Sequence, residues 1–168
     1  MASRFTPTET SRFFLLGRHG EKDSIAGLPD IEQPLTRTGK SQWRTNGNSL
    51  ILSGIKPDFI LSSSVSRAVE SAKQLIATLD TGFHAPPPHQ QCGEALYRAY
   101  EPEDMMAILK DEFPDEALCP LVIGHNPGMH RLVLHLSGQA PASLRQMIDG
   151  NFPSAALCLY HMAASSWA

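Results

Sequence analysis

Four short apolar runs limit what this chain can fold into more than any other feature of it. They are Phe13-Phe14-Leu15-Leu16 before Gly17, Phe59-Ile60-Leu61 before Ser62-Ser63-Ser64, Leu121-Val122-Ile123 before Gly124-His125, and a last run from Ala155 to Tyr160. Consecutive rather than alternate apolar positions, cut off after a few residues, are the pattern of strands buried on both faces. Between the runs lie segments with helical spacing. Thr36 is placed to cap a helix reaching about Ser53, with Gly54 closing it, and Val65, Val69, Ala72, Ile76 and Leu79 mark one face of a second helix. Met105, Met106, Ile108, Leu109 and Phe113 mark a third helix, begun at Pro102. Asn126 as N-cap and Pro127 as first residue predict a fourth, running to Gly138. The alternation predicts an α/β fold whose mostly parallel sheet is covered by helices on both sides.

Two stretches fall outside that alternation. Asp23 to Pro34 reads as a loop, and the three prolines between His84 and His89 remove backbone donors, so this segment is an extended surface connection. Residues 1–11 are expected to be a polar, flexible lead and residues 12–164 a single domain. A chain of 168 residues has room for one core that needs no metal or disulfide staple. Cys92, Cys119 and Cys158 are odd in number and far apart, which predicts reduced thiols. With no apolar run near the roughly 20 residues of a bilayer span and no secretory leader, no membrane association is expected and the cytoplasm is the expected compartment. The net charge of −3, from 14 basic and 17 acidic residues, supplies no basic field for nucleic acid.

Any affinity for anions is therefore local, and three strand ends offer it. Arg18-His19-Gly20 follows the first run, Ser62 to Arg67 the second, and His125-Asn126 the third. Ligands of open α/β sheets bind beyond the carboxyl ends of the strands, so these residues are expected to converge. Two guanidinium forks beside two imidazoles suit a phosphoryl group. Neighbouring arginines disfavour protonation of a histidine, which leaves one imidazole neutral and nucleophilic. The seven histidines show no metal-site spacing: His125, His130 and His135, five apart, do not share a helix face.

These residues also sit in a recognisable order of motifs. Arg18-His19-Gly20 is similar to the RHG motif of the histidine phosphatase (phosphoglycerate mutase-like) superfamily. Ser62 to Ala72 resembles its SSxxxRAxxTA motif, with Ser71 in the threonine position. Gly124-His125-Asn126-Pro127-Gly128 resembles the second-histidine motif of the small SixA-like phosphohistidine phosphatase branch. Pro34-Leu35-Thr36 through Gly39 and Phe152 to Leu157 are similar to that branch's PLTxxG and FPTxAL segments.

The resemblance implies a three-layer α/β/α sandwich of phosphoglycerate mutase-like type and a metal-independent phosphatase, without cofactor, that works through a phosphohistidine enzyme intermediate. His19 is then the nucleophile, and Arg18, Arg67 and His125 form the phosphate pocket with Asn126, while Gly20 allows the ligand close to the backbone. Larger relatives protonate the leaving group with a Glu in an ExxY context, which Glu94 to Tyr97 matches in spacing; the alternative for Glu94 is a solvated carboxylate at a helix start. Glu21 is a weaker candidate for orienting a pocket residue. The expected partner is a phosphorylated protein, such as a phosphohistidine carrier domain, or a small phosphorylated metabolite, and the short chain favours an open site. A phosphomonoesterase for small metabolites and a non-catalytic phosphate-binding module on the same fold are the alternatives.

Overall fold

In the computed structural model, which describes residues 11–167, the first apolar run becomes β1 (Arg12–Arg18) and lies inside a five-stranded sheet. Along the chain follow α1 (Arg37–Ser53), β2 (Phe59–Ser62), α2 (Ser66–Phe83), β3 (His89–Gln91), α3 (Ala95–Arg98), α4 (Pro102–Glu112), β4 (Pro120–Gly124), α5 (Gly128–Leu136), α6 (Ala142–Gly150) and β5 (Leu157–Met162). The strand order is β3-β2-β4-β1-β5, parallel except for β5, which runs antiparallel to β1. Of the expected flexible lead, residues 1–10 lie outside the described part, while the Ser11 hydroxyl and His161 Nε2 are 2.5 Å apart.

The continuous apolar runs are explained by two cores, one on each face of the sheet. Phe14, Leu16, Leu61 and Val122 meet Met105, Leu109, Met129, Leu132 and Val133 of α4 and α5. The alternate residues, Phe13, Leu15, Ile60, Leu121 and Ile123, meet Trp43 and Leu50 of α1 and Ala68, Ala72, Leu75 and Leu79 of α2. Each strand therefore needs apolar side chains at successive positions. Thr36 caps α1 by accepting from Gly39 N at 2.9 Å, and Gly54 closes it in the left-handed region at φ 67°.

Three elements depart from expectation. β3 carries no apolar side chain and exists only because its backbone pairs with β2 at the sheet edge. α6 was not foreseen, since it buries only Ile148 and leaves Leu144 and Met147 exposed, so its apolar stripe is thin. Asn126 is not an N-cap: α5 starts at Gly128, and the Asn126 side chain instead donates to the Phe152 carbonyl at 2.9 Å. All three cysteines are free thiols. Among the described residues no helix is long and apolar enough to cross a membrane.

Candidate active site

Strand register decides which side chains meet. Arg18 pairs with Gly124 across β1 and β4, and Ser62 with Ile123 across β2 and β4, so three neighbouring parallel strands end at one level. The chain leaves β1 to build α1 and β2, then returns to insert β4 between them, which opens a crevice at the carboxyl ends of β1 and β4. His19 continues β1, with its backbone N–H donating to the Gly124 carbonyl at 3.0 Å. His125 continues β4, and the two imidazoles lie 4.9 Å apart between ring centres. Arg67, on the first turn of α2, reaches them from the β2 side and donates through Nε to His19 Nε2 at 3.3 Å. Arg18 closes the group, held by an Nη1 bond to the Phe152 carbonyl at 3.0 Å. The four residues expected to form a phosphate pocket are thus brought together.

The hydrogen bonds assign the protons. His19 Nδ1 lies 2.7 Å from the Gly20 carbonyl, which only accepts, so Nδ1 carries the hydrogen and Nε2 presents a lone pair. Burial, together with Arg67, Arg18 and Lys22, lowers the His19 pKa to about 4 against the opposing pull of that carbonyl. His125 falls to about 2, first through burial and then through His19 and Arg67. Both imidazoles are neutral at pH 7. Arg18 Nε and both ring nitrogens of His125 are buried without a hydrogen-bond partner in the protein, so the Arg18 N–H and the single N–H of neutral His125 are donors open to an oxygen-rich ligand. Asn126 lies beside them, but its amide N–H is engaged by Phe152, which leaves the buried carbonyl Oδ1, an acceptor, unpartnered.

The surrounding shell ties α1 and α2 to the His19 segment. Ser71 accepts from Gly20 N at 3.0 Å and donates to the Arg67 carbonyl at 2.7 Å, linking the loop after His19 to the helix of Arg67. Gly20 meets a packing constraint, since a methyl group there would lie 2.6 Å from the Gly39 carbonyl oxygen at the start of α1. Glu21 does not touch a pocket side chain; its carboxylate accepts from the Thr36 hydroxyl at 2.7 Å and so secures the start of α1.

Of the carboxylates near the site, the candidate Glu94 is turned to a neighbour on its own segment, and a residue not among the candidates reaches the pocket. Glu94 precedes α3 and bonds Arg98 through Nε at 3.0 Å and Nη2 at 2.7 Å. Tyr97, from the same segment, packs edge-on against His125 with ring centres 5.0 Å apart and lies beneath the Arg67 guanidinium. The carboxylate that reaches the pocket is Asp30, from the 3₁₀ turn Asp30–Glu32. Its Oδ2 accepts from Arg67 Nη2 and from the Tyr97 hydroxyl, both at 2.8 Å, its Oδ1 pairs with Lys22, and its backbone carbonyl accepts from Arg67 Nη1 at 2.6 Å. These donors, Lys22 first, hold its carboxyl well below the usual carboxylate range. Sequence reasoning passed over Asp30, whose sole signal is an acidic side chain four residues before Pro34-Leu35-Thr36.

The model of the histidine phosphatase superfamily (branch 1) matches residues 14–87, which include Arg18, His19 and Arg67. Among solved structures, SixA from Agrobacterium tumefaciens superposes with a TM-score of 0.71 at 19% identity, covering 88% of this chain and 89% of that one. The structure of protein histidine phosphatase SixA complexed with tungstate gives a TM-score of 0.67 at 22% identity, covering 88% and 86%. A mycobacterial glucosyl-3-phosphoglycerate phosphatase gives 0.54 at 15% identity, covering 92% and 93%. No curated protein matches the sequence. At these identities the solved structures speak for the fold, a phosphoglycerate mutase-like α/β architecture, over nearly the whole chain. What this chain shares with the histidine phosphatase superfamily is thus a family-model match over residues 14–87 and, over nearly its whole length, the phosphoglycerate mutase-like fold.

Proposed function

We propose that the protein is a metal-independent phosphatase that forms a phosphohistidine on His19, with phosphohistidine in a protein as its substrate. The observation that carries this reading is that the two carboxylates near the pocket, Glu94 and Asp30, are both engaged by cationic side chains. Glu94 is paired with Arg98, and Asp30 is held ionised by Lys22, Tyr97 and Arg67. An alkoxide leaving group needs a proton from the enzyme. A phosphoimidazole does not, because its distal ring nitrogen takes a proton from solvent before the phosphorus–nitrogen bond breaks, and neutral imidazole departs.

The steps follow from the geometry. Arg18, Arg67 and His125 receive the phosphoryl oxygens, the arginines offsetting their charge. As the Arg67 Nε–H passes from His19 Nε2 to a phosphoryl oxygen, the freed Nε2 lone pair forms the bond to phosphorus while Nδ1–H stays on the Gly20 carbonyl, and the substrate's phosphorus–nitrogen bond electrons pass to the departing ring. Water then attacks the phosphorus on His19, its oxygen stays with the phosphate, and the imidazole is restored. The SixA structure with tungstate, an oxyanion, is consistent with anion binding on this fold.

The test is phosphate release, with a chelator present, from a phosphohistidine-bearing carrier protein, free phosphohistidine and a panel of sugar and nucleotide phosphates. Preference for the carrier and an acid-labile, alkali-stable phosphoenzyme missing from His19→Ala are expected. A marked preference for one metabolite overturns the substrate assignment, and full activity in His19→Ala overturns the nucleophile.

A further inference from the structure

We propose that Asp30 is a positioning residue, which grips the outer end of Arg67 so that its Nε–H is aimed at the atom where phosphoryl transfer takes place. The inference rests on the phosphoryl-site reading but not on turnover. Arg67 is anchored by its backbone on α2, and its side chain crosses to His19, so its fork needs a second anchor to hold one orientation. Asp30 supplies two: the backbone carbonyl takes Nη1 at 2.6 Å and the carboxylate takes Nη2 at 2.8 Å. With both Nη groups directed outward, Nε–H points inward to His19 Nε2. A planar guanidinium held at both outer nitrogens keeps little freedom to rotate.

The anchor is itself fixed from several sides. The Tyr97 hydroxyl donates to the same Oδ2, and Lys22 pairs with Oδ1. The loop that carries Asp30 is stiffened by Gln33, which accepts from Ile25 N at 2.8 Å and donates to the carbonyls of Ile25 at 3.0 Å and Leu28 at 2.8 Å. A backbone bond from Asp23 N to the Pro34 carbonyl at 2.8 Å joins the loop's two ends. Loop 23–34 and the Tyr97 segment thus meet on one carboxylate, and Arg67 is set by that junction.

A carboxylate beside a phosphate pocket acts in two opposed ways. Its charge repels the anion, while its grip on Arg67 prepares a donor, and comparing Asp30→Asn with Asp30→Ala separates the two. Asparagine removes the charge but keeps an oxygen for Nη2; alanine removes both. The experiment is calorimetric titration of wild type and both variants with inorganic phosphate, alongside the ¹⁵N imidazole resonances of His19. Positioning predicts that Asp30→Ala binds phosphate on the order of 10-fold more weakly than Asp30→Asn, the loss of one hydrogen bond to a charged group. It also predicts that His19 Nε2 loses its bonded shift in Asp30→Ala but not in Asp30→Asn. Equal affinity in the two variants, or tighter binding in Asp30→Ala, overturns the proposal. The resonances also decide if binding is too weak to measure, since an unmoved His19 signal in Asp30→Ala overturns it. Phosphate binding without hydrolysis of any phosphohistidine in wild type refutes the proposed function and leaves this test intact.

Discussion

Acidification should destabilise this protein through the two histidines at the ends of β1 and β4. His19 has its pKa lowered to about 4 and His125 to about 2, against an ordinary value of 6.5 in the unfolded chain. Because the folded values are depressed, the stability they confer is fully present above 6.5 and is lost as pH falls towards them. At about pH 5.5 the unfolded chain carries roughly nine-tenths of a proton on each imidazole and the native pocket almost none. The stability slope is then about 1.2 kcal/mol per pH unit for each histidine. Between about pH 7.5 and 5 this amounts to roughly 2 kcal/mol each, or about 4 kcal/mol for the pair. Such a loss is large beside the 5–15 kcal/mol or so that holds a typical domain. Burial is the first cause at both sites, so the effect belongs to the pocket and not to net charge. Urea unfolding in phosphate-free buffers across that range measures it, with His19→Gln and His125→Asn as comparators. Each variant should lose about 2 kcal/mol of the pH dependence. Variants that retain the wild-type slope would show that these imidazoles are not held neutral by burial, and the reading of His19 as a neutral imidazole would fall with them.

Two further outcomes follow from contacts around the pocket. Glu94→Gln should change phosphatase rates less than about 3-fold with any leaving group, because its carboxylate is paired with Arg98; a loss of 10²-fold or more would show that it serves as the acid. Gly20→Ala should cost roughly 1–3 kcal/mol, since the added methyl meets the backbone at Gly39 and not a side chain that can turn away; an unchanged melting temperature would contradict that packing.

The apolar runs at Phe13, Phe59 and Leu121, the Thr36 cap and the Gly54 stop were legible in the sequence because each depends on neighbours a few residues away. Arg18, His19, Arg67 and His125 were legible as a group for a related reason. Each sits at or just past a strand end that the pattern marks, and parallel register brings such ends together. β3 and α6 were not, since a three-residue edge strand and a mostly exposed helix have almost no apolar period to read.

What only the tertiary structure decided is which carboxylate faces the pocket. The resemblance offered Glu94 as a candidate for that place, with a solvated carboxylate at a helix start as the alternative, and said nothing of Asp30. The fold turned Glu94 to Arg98, four residues along its own short helix, and carried Asp30 across to Arg67, 37 residues away. Strand ends and caps answer to local pattern, whereas the partner of a charged side chain in a loop depends on the path of the whole loop. Gln33, Lys22 and Tyr97 set that path through contacts spread over three separate segments. The sequence by itself therefore determined where two arginines and two histidines meet, and the tertiary structure decided how the Arg67 donors are aimed.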